Sequence, residues 1–198
     1  MIRRWLMAPL ALLLTGCGYN TIQTLDERAA GYQSQIEVQL QRRGDLIGNL
    51  VNTVKGYAAH EEAVFTQVAQ ARAGLQSAAQ SGDAEQMATA NNALTSALGR
   101  LMVVVEAYPT LKADQNFRML QDELVGTENR IATARGDYNG AVNEYNAYIR
   151  RFPAVLTAKA TGAKARKYFQ AAPGTAEAPK VDFGTDKKAA PPPAAKTP

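Results

Sequence analysis

From Ile22 onward, apolar or small residues return at alternating steps of three and four: Ile22, Leu25, Ala29, Tyr32, Ile36, Leu40, then Ile47, Leu50, Val54, Tyr57, then Val64, Val68, Ala71, Leu75 and Ala78. A seam with a period near 3.5 belongs to helices that pack lengthwise. Two positions in the series are charged, Arg43 and Glu61. No proline interrupts residues 21–79, so the pattern predicts one continuous helix of about 90 Å at the usual rise per residue.

Ser81-Gly82-Asp83-Ala84-Glu85 reads as a stop and restart, with Gly82 closing one helix and Asp83 capping the next. A second helix over 84–107 places Met87, Asn91, Leu94, Leu98, Leu101, Val105 and Tyr108 on one face, and Pro109 ends it. A third, from about Ala113 to Arg151, carries Phe117, Leu120, Leu124, Thr127, Ile131, Ala134, Tyr138, Val142, Tyr145, Tyr148 and Phe152 before Pro153. The fourth piece, Ala154 to Phe169, is short and interrupted by Gly162. Beyond Ala171 the Pro/Ala/Lys-rich chain has too little apolar surface to offset chain entropy and reads as disordered. The expected fold is all-α, an elongated antiparallel bundle of three long helices and a short fourth. Its expected divisions are a leader over 1–16, a bundle over 17–170 and a tail over 171–198.

The leader locates the chain. Met1-Ile2-Arg3-Arg4-Trp5 is basic, and Leu6 to Leu14 is an apolar run too short to span a bilayer, which takes roughly 20 residues. Leu14-Thr15-Gly16-Cys17 matches the bacterial lipobox, which implies cleavage before an acylated Cys17. Several acyl chains hold a protein firmly where one does not. Gly18 stands where an Asp would favour retention at the inner membrane, so the expected place is the periplasmic side of the outer membrane. The alternative is an inner-membrane protein with an uncleaved N-terminal anchor. As the single cysteine, Cys17 also rules out an intramolecular disulfide.

The formal charge of +4 is unevenly spread. Residues 18–149 carry 10 basic and 15 acidic residues, whereas 150–167 carry six basic residues and no acid. The high pI thus comes from one short segment and not from a nucleic-acid-binding face. With three long helices, that segment falls at the tip far from the anchor, where it would serve the acidic bundle surface or a distal acidic partner.

Candidate chemistry is sparse. His60-Glu61-Glu62 has metal-ligand residue types, but a bundle metal site draws several ligands from facing helices and this chain has one histidine. No nucleophile elbow or phosphate-cradling loop occurs. The most informative set is Arg42, Arg43, Asp45 and Asn49 with Glu123, Thr127, Glu128 and Asn129, two polar groups that interrupt apolar stripes near mid-helix. They could meet as a layer that fixes register, since a buried unpaired charge is costly, or could line a ligand pocket. Gly44/Gly48 and Gly136/Gly140, each spaced by four, would permit close helix approach.

The order of residues resembles the LemA family. The first half carries Gln41-Arg42-Arg43, Asp45-Leu46-Ile47, Asn49-Leu50-Val51, Val54-Lys55-Gly56-Tyr57 and His60-Glu61. The second carries Glu106-Ala107-Tyr108-Pro109, Asn116-Phe117, Thr127-Glu128-Asn129-Arg130-Ile131, Tyr138-Asn139, Tyr145-Asn146, Phe152-Pro153 and Tyr168-Phe169. The match departs at Gly48, where the family usually has proline. The resemblance implies an antiparallel helical bundle on a membrane anchor outside the cytoplasm, with no established catalytic activity and no cofactor. The expected function is that of a membrane-anchored envelope interaction or scaffold protein. The alternative is a small-ligand-binding or enzymatic bundle using the polar layer. Expected partners are the membrane, reached through the lipid anchor, and an unidentified envelope protein; a homo-oligomer stays open, and nucleic acid is not expected.

Overall fold

A computed structural model describes residues 7–170, with side chains from residue 18 onward. The leader side chains, that of Cys17 and the tail for which disorder is expected lie outside the described residues. Six helices are described: α1 Met7–Lys55, α2 Glu62–Ser81, α3 Ala84–Glu106, α4 Pro109–Ala113, α5 Gln115–Tyr148 and α6 Ala154–Thr161. The all-α bundle is as the periodicity indicates.

The count of long helices differs. The expected helix over 21–79 breaks at Gly56, and α2 folds back against α1. The last turn of α1 tightens, with Gly56 N–H donating to Thr53 O (3.2 Å) and Tyr57 N–H to Val54 O (3.0 Å). Ala58 is buried in the turn, and Tyr57, a seam residue, instead reaches outward to donate to Asp114 Oδ2 at 3.1 Å. Charges fit the two ends: Lys55 stands in the last turn of α1 and Glu62 in the first turn of α2, each complementing its helix dipole. After the break the buried face shifts from Val64 to Phe65 and continues through Val68, Leu75 and Ala78.

The α2–α3 turn has the expected caps. Gly82 adopts φ +66°, left-handed geometry that suits glycine, and the Asp83 carboxylate accepts from Glu85 N–H (2.9 Å) and Gln86 N–H (3.1 Å). Pro109 opens the short α4, and Asp114 caps α5 by accepting from Phe117 N–H at 2.9 Å. α5 then runs antiparallel to α1 along most of its length, the most extensive helix pairing in the molecule.

Four long passes, not three, return the chain to its start. A Cβ built on Gly18 would lie 3.4 Å from Thr157 Oγ1 and 3.6 Å from Ala154 Cα, so α6 packs against the beginning of the described side chains. The basic segment therefore lies beside the anchor end, opposite to its expected place at the far tip. Phe152 also leaves the α5 stripe: the helix ends at Tyr148, and Phe152 is 81% exposed.

The core divides accordingly. Leu40, Ile47, Leu50, Val54, Val68, Leu75, Met87, Leu94, Leu101, Phe117 and Ile131 belong to one large cluster fed by α1, α2, α3 and α5. A second, small cluster of Ile22, Tyr145, Ile149 and Ala158 joins α1, α5 and α6 near the anchor.

Candidate functional site

Arg43 follows Leu40 and precedes Ile47 on the buried stripe of α1, so its side chain is carried into the four-helix interior, where the residue is 5% exposed. A guanidinium there needs partners to offset lost hydration. Its Nη1 donates to Asn91 Oδ1 on α3 and lies 2.6 Å from Glu128 Oε2 on α5; Nη2 donates to Thr95 Oγ1 at 3.0 Å. Thr95 Oγ1 in turn donates to Asn91 O at 3.0 Å. Nε has no hydrogen-bond partner among the described residues. Burial pulls the Arg43 pKa down from its ordinary value, and the Glu128 charge opposes that shift.

The other members of the expected layer divide. Thr127 is fully buried, but its hydroxyl donates back to Glu123 O at 2.8 Å, within its own helix. Arg42 pairs with Glu123 at 2.9 Å on the surface, where both side chains are about half exposed and the pair is worth little. Asp45 faces α2 and pairs with Arg72 at 3.4 Å. Asn49 and Asn129 are exposed. The structure thus brings Arg43 and Glu128 together, joins Arg42 to Glu123 outside them, and recruits Asn91 and Thr95 from α3. Asn91 carried a signal that sequence reasoning passed over, as a polar residue within the apolar stripe between Met87 and Leu94.

Gly44 and Gly48 make room for a side chain and not for a neighbouring backbone. A Cβ at Gly48 would stand 3.2 Å from both Cζ and Nη1 of Arg72, whose guanidinium lies across this face of α1. Gly136 and Gly140 have nothing within 4 Å of a built Cβ. Grooves flank the layer on two sides. One, of about 250 Å³, runs between α1 and α2 beside Asp45 and Arg72; another, of about 580 Å³, is an open trough between α1 and α5 along Val38, Gln39, Asn129 and Arg130. Arg43 lines neither.

A second polar system holds residues 163–170, which pass along α5 without regular structure. Asn146 donates through Nδ2 to Arg166 O and accepts at Oδ1 from Arg166 N–H, both at 2.9 Å. Asn139 repeats the bracket on Phe169, with 3.0 Å from Nδ2 to O and 2.9 Å from N–H to Oδ1. Seven helical residues rise about 10.5 Å, close to the roughly 10 Å spanned by three extended residues, so two amides on one helix face match this strap. Between them Tyr138 Oη donates to Lys167 O at 2.9 Å. Phe169 is buried with the Arg135 guanidinium 4.8 Å from its ring centre.

Two strap cations serve the acidic bundle. Arg166 Nε donates to Asp26 Oδ1 at 2.6 Å, which raises the guanidinium pKa. Lys167 Nζ reaches Glu85 at 3.1 Å and Asp83 at 3.3 Å, and both hydrogen bonds raise its pKa. Hydrogen bonding from Gln86 N–H is the main cause that lowers the Asp83 pKa, with Lys167 adding to it.

A sequence model of the LemA family matches residues 32–183. The chain is 34% identical to magnetosome protein MamQ 2 of Paramagnetospirillum magneticum and 30% identical to magnetosome protein MamQ of Magnetospirillum gryphiswaldense. Each match covers 78% of this chain and 65% of the relative, so the chain spans a little under two thirds of their length.

Proposed function

Because this chain belongs to the LemA family, we propose that it is a membrane-anchored interaction or scaffold protein of the cell envelope, without catalytic activity. The single observation that carries the reading is the use of Arg43. Its two terminal nitrogens are engaged by Asn91, Thr95 and Glu128 of the same chain, on two further helices. A guanidinium whose two terminal nitrogens are so occupied ties α1 to α3 and α5, which supports a register-fixing role over a ligand-holding one. The relatives are named as magnetosome proteins and not for a reaction, which supports this reading.

The anchor in this reading is an acylated Cys17 on the periplasmic side, at the outer membrane. Among the described residues no helix is long and apolar enough to cross a membrane. The partner is an envelope protein that contacts the α1–α5 face, where Val38 and Val125 are each 63% exposed. Photo-crosslinking in cells from Val38 and Val125, with Gln80 as a control elsewhere, tests the surface. A discrete adduct from the first two positions but not the third is expected; the same adducts from all three would reject the face. Mass spectrometry of the mature N-terminus tests the anchor, with acylated Cys17 expected and an intact Met1 excluding it.

A further inference from the structure

The end of the bundle beside Gly18 carries an unusual combination. The α5–α6 loop and α6 present Arg150, Arg151 and Lys159 with Phe152 (81% exposed) and Leu156 (55% exposed). α6 turns Ala154, Thr157 and Ala158 inward, which leaves Leu156 and Lys159 on its outer face. Arg166 and Lys167 are taken up by Asp26, Asp83 and Glu85, whereas Arg150, Arg151, Lys159 and Lys164 form no ion pair among the described residues. Single exposed apolar residues are ordinary on protein surfaces. A phenylalanine and a leucine four positions apart among unpaired cations have the composition of segments that lie in a membrane interface.

Position decides what such a surface meets. Arg151, Phe152 and Pro153 share a recess with Gly18, and Cys17 is the next residue, with its Cα about 3.8 Å away. α1 continues as helix from there back to Met7 through the apolar run that ends at Leu14. Whatever holds that run or Cys17 at a bilayer brings the loop to the headgroups, within the Debye length of about 8–10 Å over which exposed charges act. We propose that the α5–α6 loop and α6 form a second membrane contact, in which Phe152 and Leu156 insert at the interface and Arg150, Arg151 and Lys159 bind anionic phospholipid. The inference rests on the anchored reading above and adds to it an orientation: two contacts fix the tilt of the bundle where a lipid tether alone would leave it free to swing.

The test uses the full chain in phosphatidylcholine vesicles with or without phosphatidylglycerol. A fluorescent thiol label at Leu156→Cys is compared with one at Val103→Cys, an exposed residue near the opposite end, with a headgroup-borne quencher in the bilayer. Unmutated chain is labelled in parallel: a reactive Cys17 would report failure of the acyl-anchor reading, and its signal is subtracted. Flotation reads attachment and quenching reads the second contact, so the two can fail separately. Quenching at 156 should exceed that at 103 in anionic vesicles and fall severalfold in neutral ones or at high salt. Each cation near an anionic surface contributes about fivefold. Changing Arg150, Arg151 and Lys159 to Glu should therefore shift the docked-to-undocked ratio by on the order of a hundredfold, with flotation unchanged. Equal quenching at 156 and 103, or a 156 signal indifferent to lipid charge in the unmutated loop, overturns the proposal and leaves the cations to an acidic protein.

Discussion

The half of the bundle away from the anchor and the half beside it use different means to hold α1 and α5 together. Away from the anchor, α2 and α3 complete a four-helix interior, and the pairing rests on a large apolar cluster with one buried cation in it. Beside the anchor, a few apolar residues remain, and the contact is supplemented by Asn139, Asn146, Tyr138 and Asp26 gripping an extended strap. Where helices are available, burial does the work; where they run out, hydrogen bonds to backbone take over. The first kind of contact is lost only with the fold, whereas the second can open locally.

The largest expected difference follows from truncating one residue in each half. Leu50→Ala, in the four-helix interior, should lose about 3–5 kcal/mol, whereas Ile149→Ala, in the small cluster, should fall near the lower limit of about 2 kcal/mol for such changes. Urea denaturation measures both, and equal losses would show that the halves do not differ. Glu128→Gln should cost about 1–3 kcal/mol, the range for leaving a buried polar partner unsatisfied, and the double variant Arg43→Met with Glu128→Met should cost less than the sum of its singles. Additive losses in that cycle would mean that Arg43 and Glu128 do not act as a pair.

Asn139→Ala and Asn146→Ala each remove two bonds to the strap, which at about 1 kcal/mol per bond is modest for global stability. Their expected signature is local, as faster trypsin cleavage after Lys164 and Lys167 with little change in the denaturation midpoint. Acid should act on the caps. The Asp83 and Asp114 pKa values are lowered in the folded chain, chiefly by hydrogen bonds from Gln86 N–H and Phe117 N–H. Their contribution is therefore complete above the ordinary carboxylate pKa near 4 and lost as pH falls through the lowered values. Asp83→Asn should flatten the melting-temperature profile below about pH 4; an unchanged profile would remove Asp83 from the account. Gln70→Ala and Gln80→Ala, on exposed faces, should change stability by less than about 0.5 kcal/mol.

Much of this was legible. Gly82, Asp83 and Pro109 act through local geometry, which sequence states directly. The break at Gly56 was hidden because Tyr57 and Val64 are seven apart and keep the seam in phase across a turn that reverses the chain. Only the basic end at Lys55 and the acidic start at Glu61-Glu62 marked it. That one break set the number of passes, and with it the end of the molecule on which the basic segment lies. In the polar layer, Arg43 was visible as a charge in an apolar stripe and Glu128 stood among the candidates to meet it, but the alignment that brings Asn91 to the same guanidinium was not. Asn91 lies 48 residues away on a helix whose alignment with α1 depends on the hidden turn. The brackets of Asn139 and Asn146 were illegible for a different reason, since an asparagine on a helix face has no periodic signature until an extended segment lies across it.

The match of seven helical residues to three extended ones makes the strap a gauge of chain length. One residue inserted between Arg166 and Phe169 would leave only one of the two brackets able to close, so that either Arg166 is released or Phe169 is drawn from its seat against Arg135. The same insertion between Thr161 and Lys164 would be absorbed before the first bracket and leave both closed. Length is thus policed over four residues of the strap and left slack just ahead of them, at the end that faces the anchor.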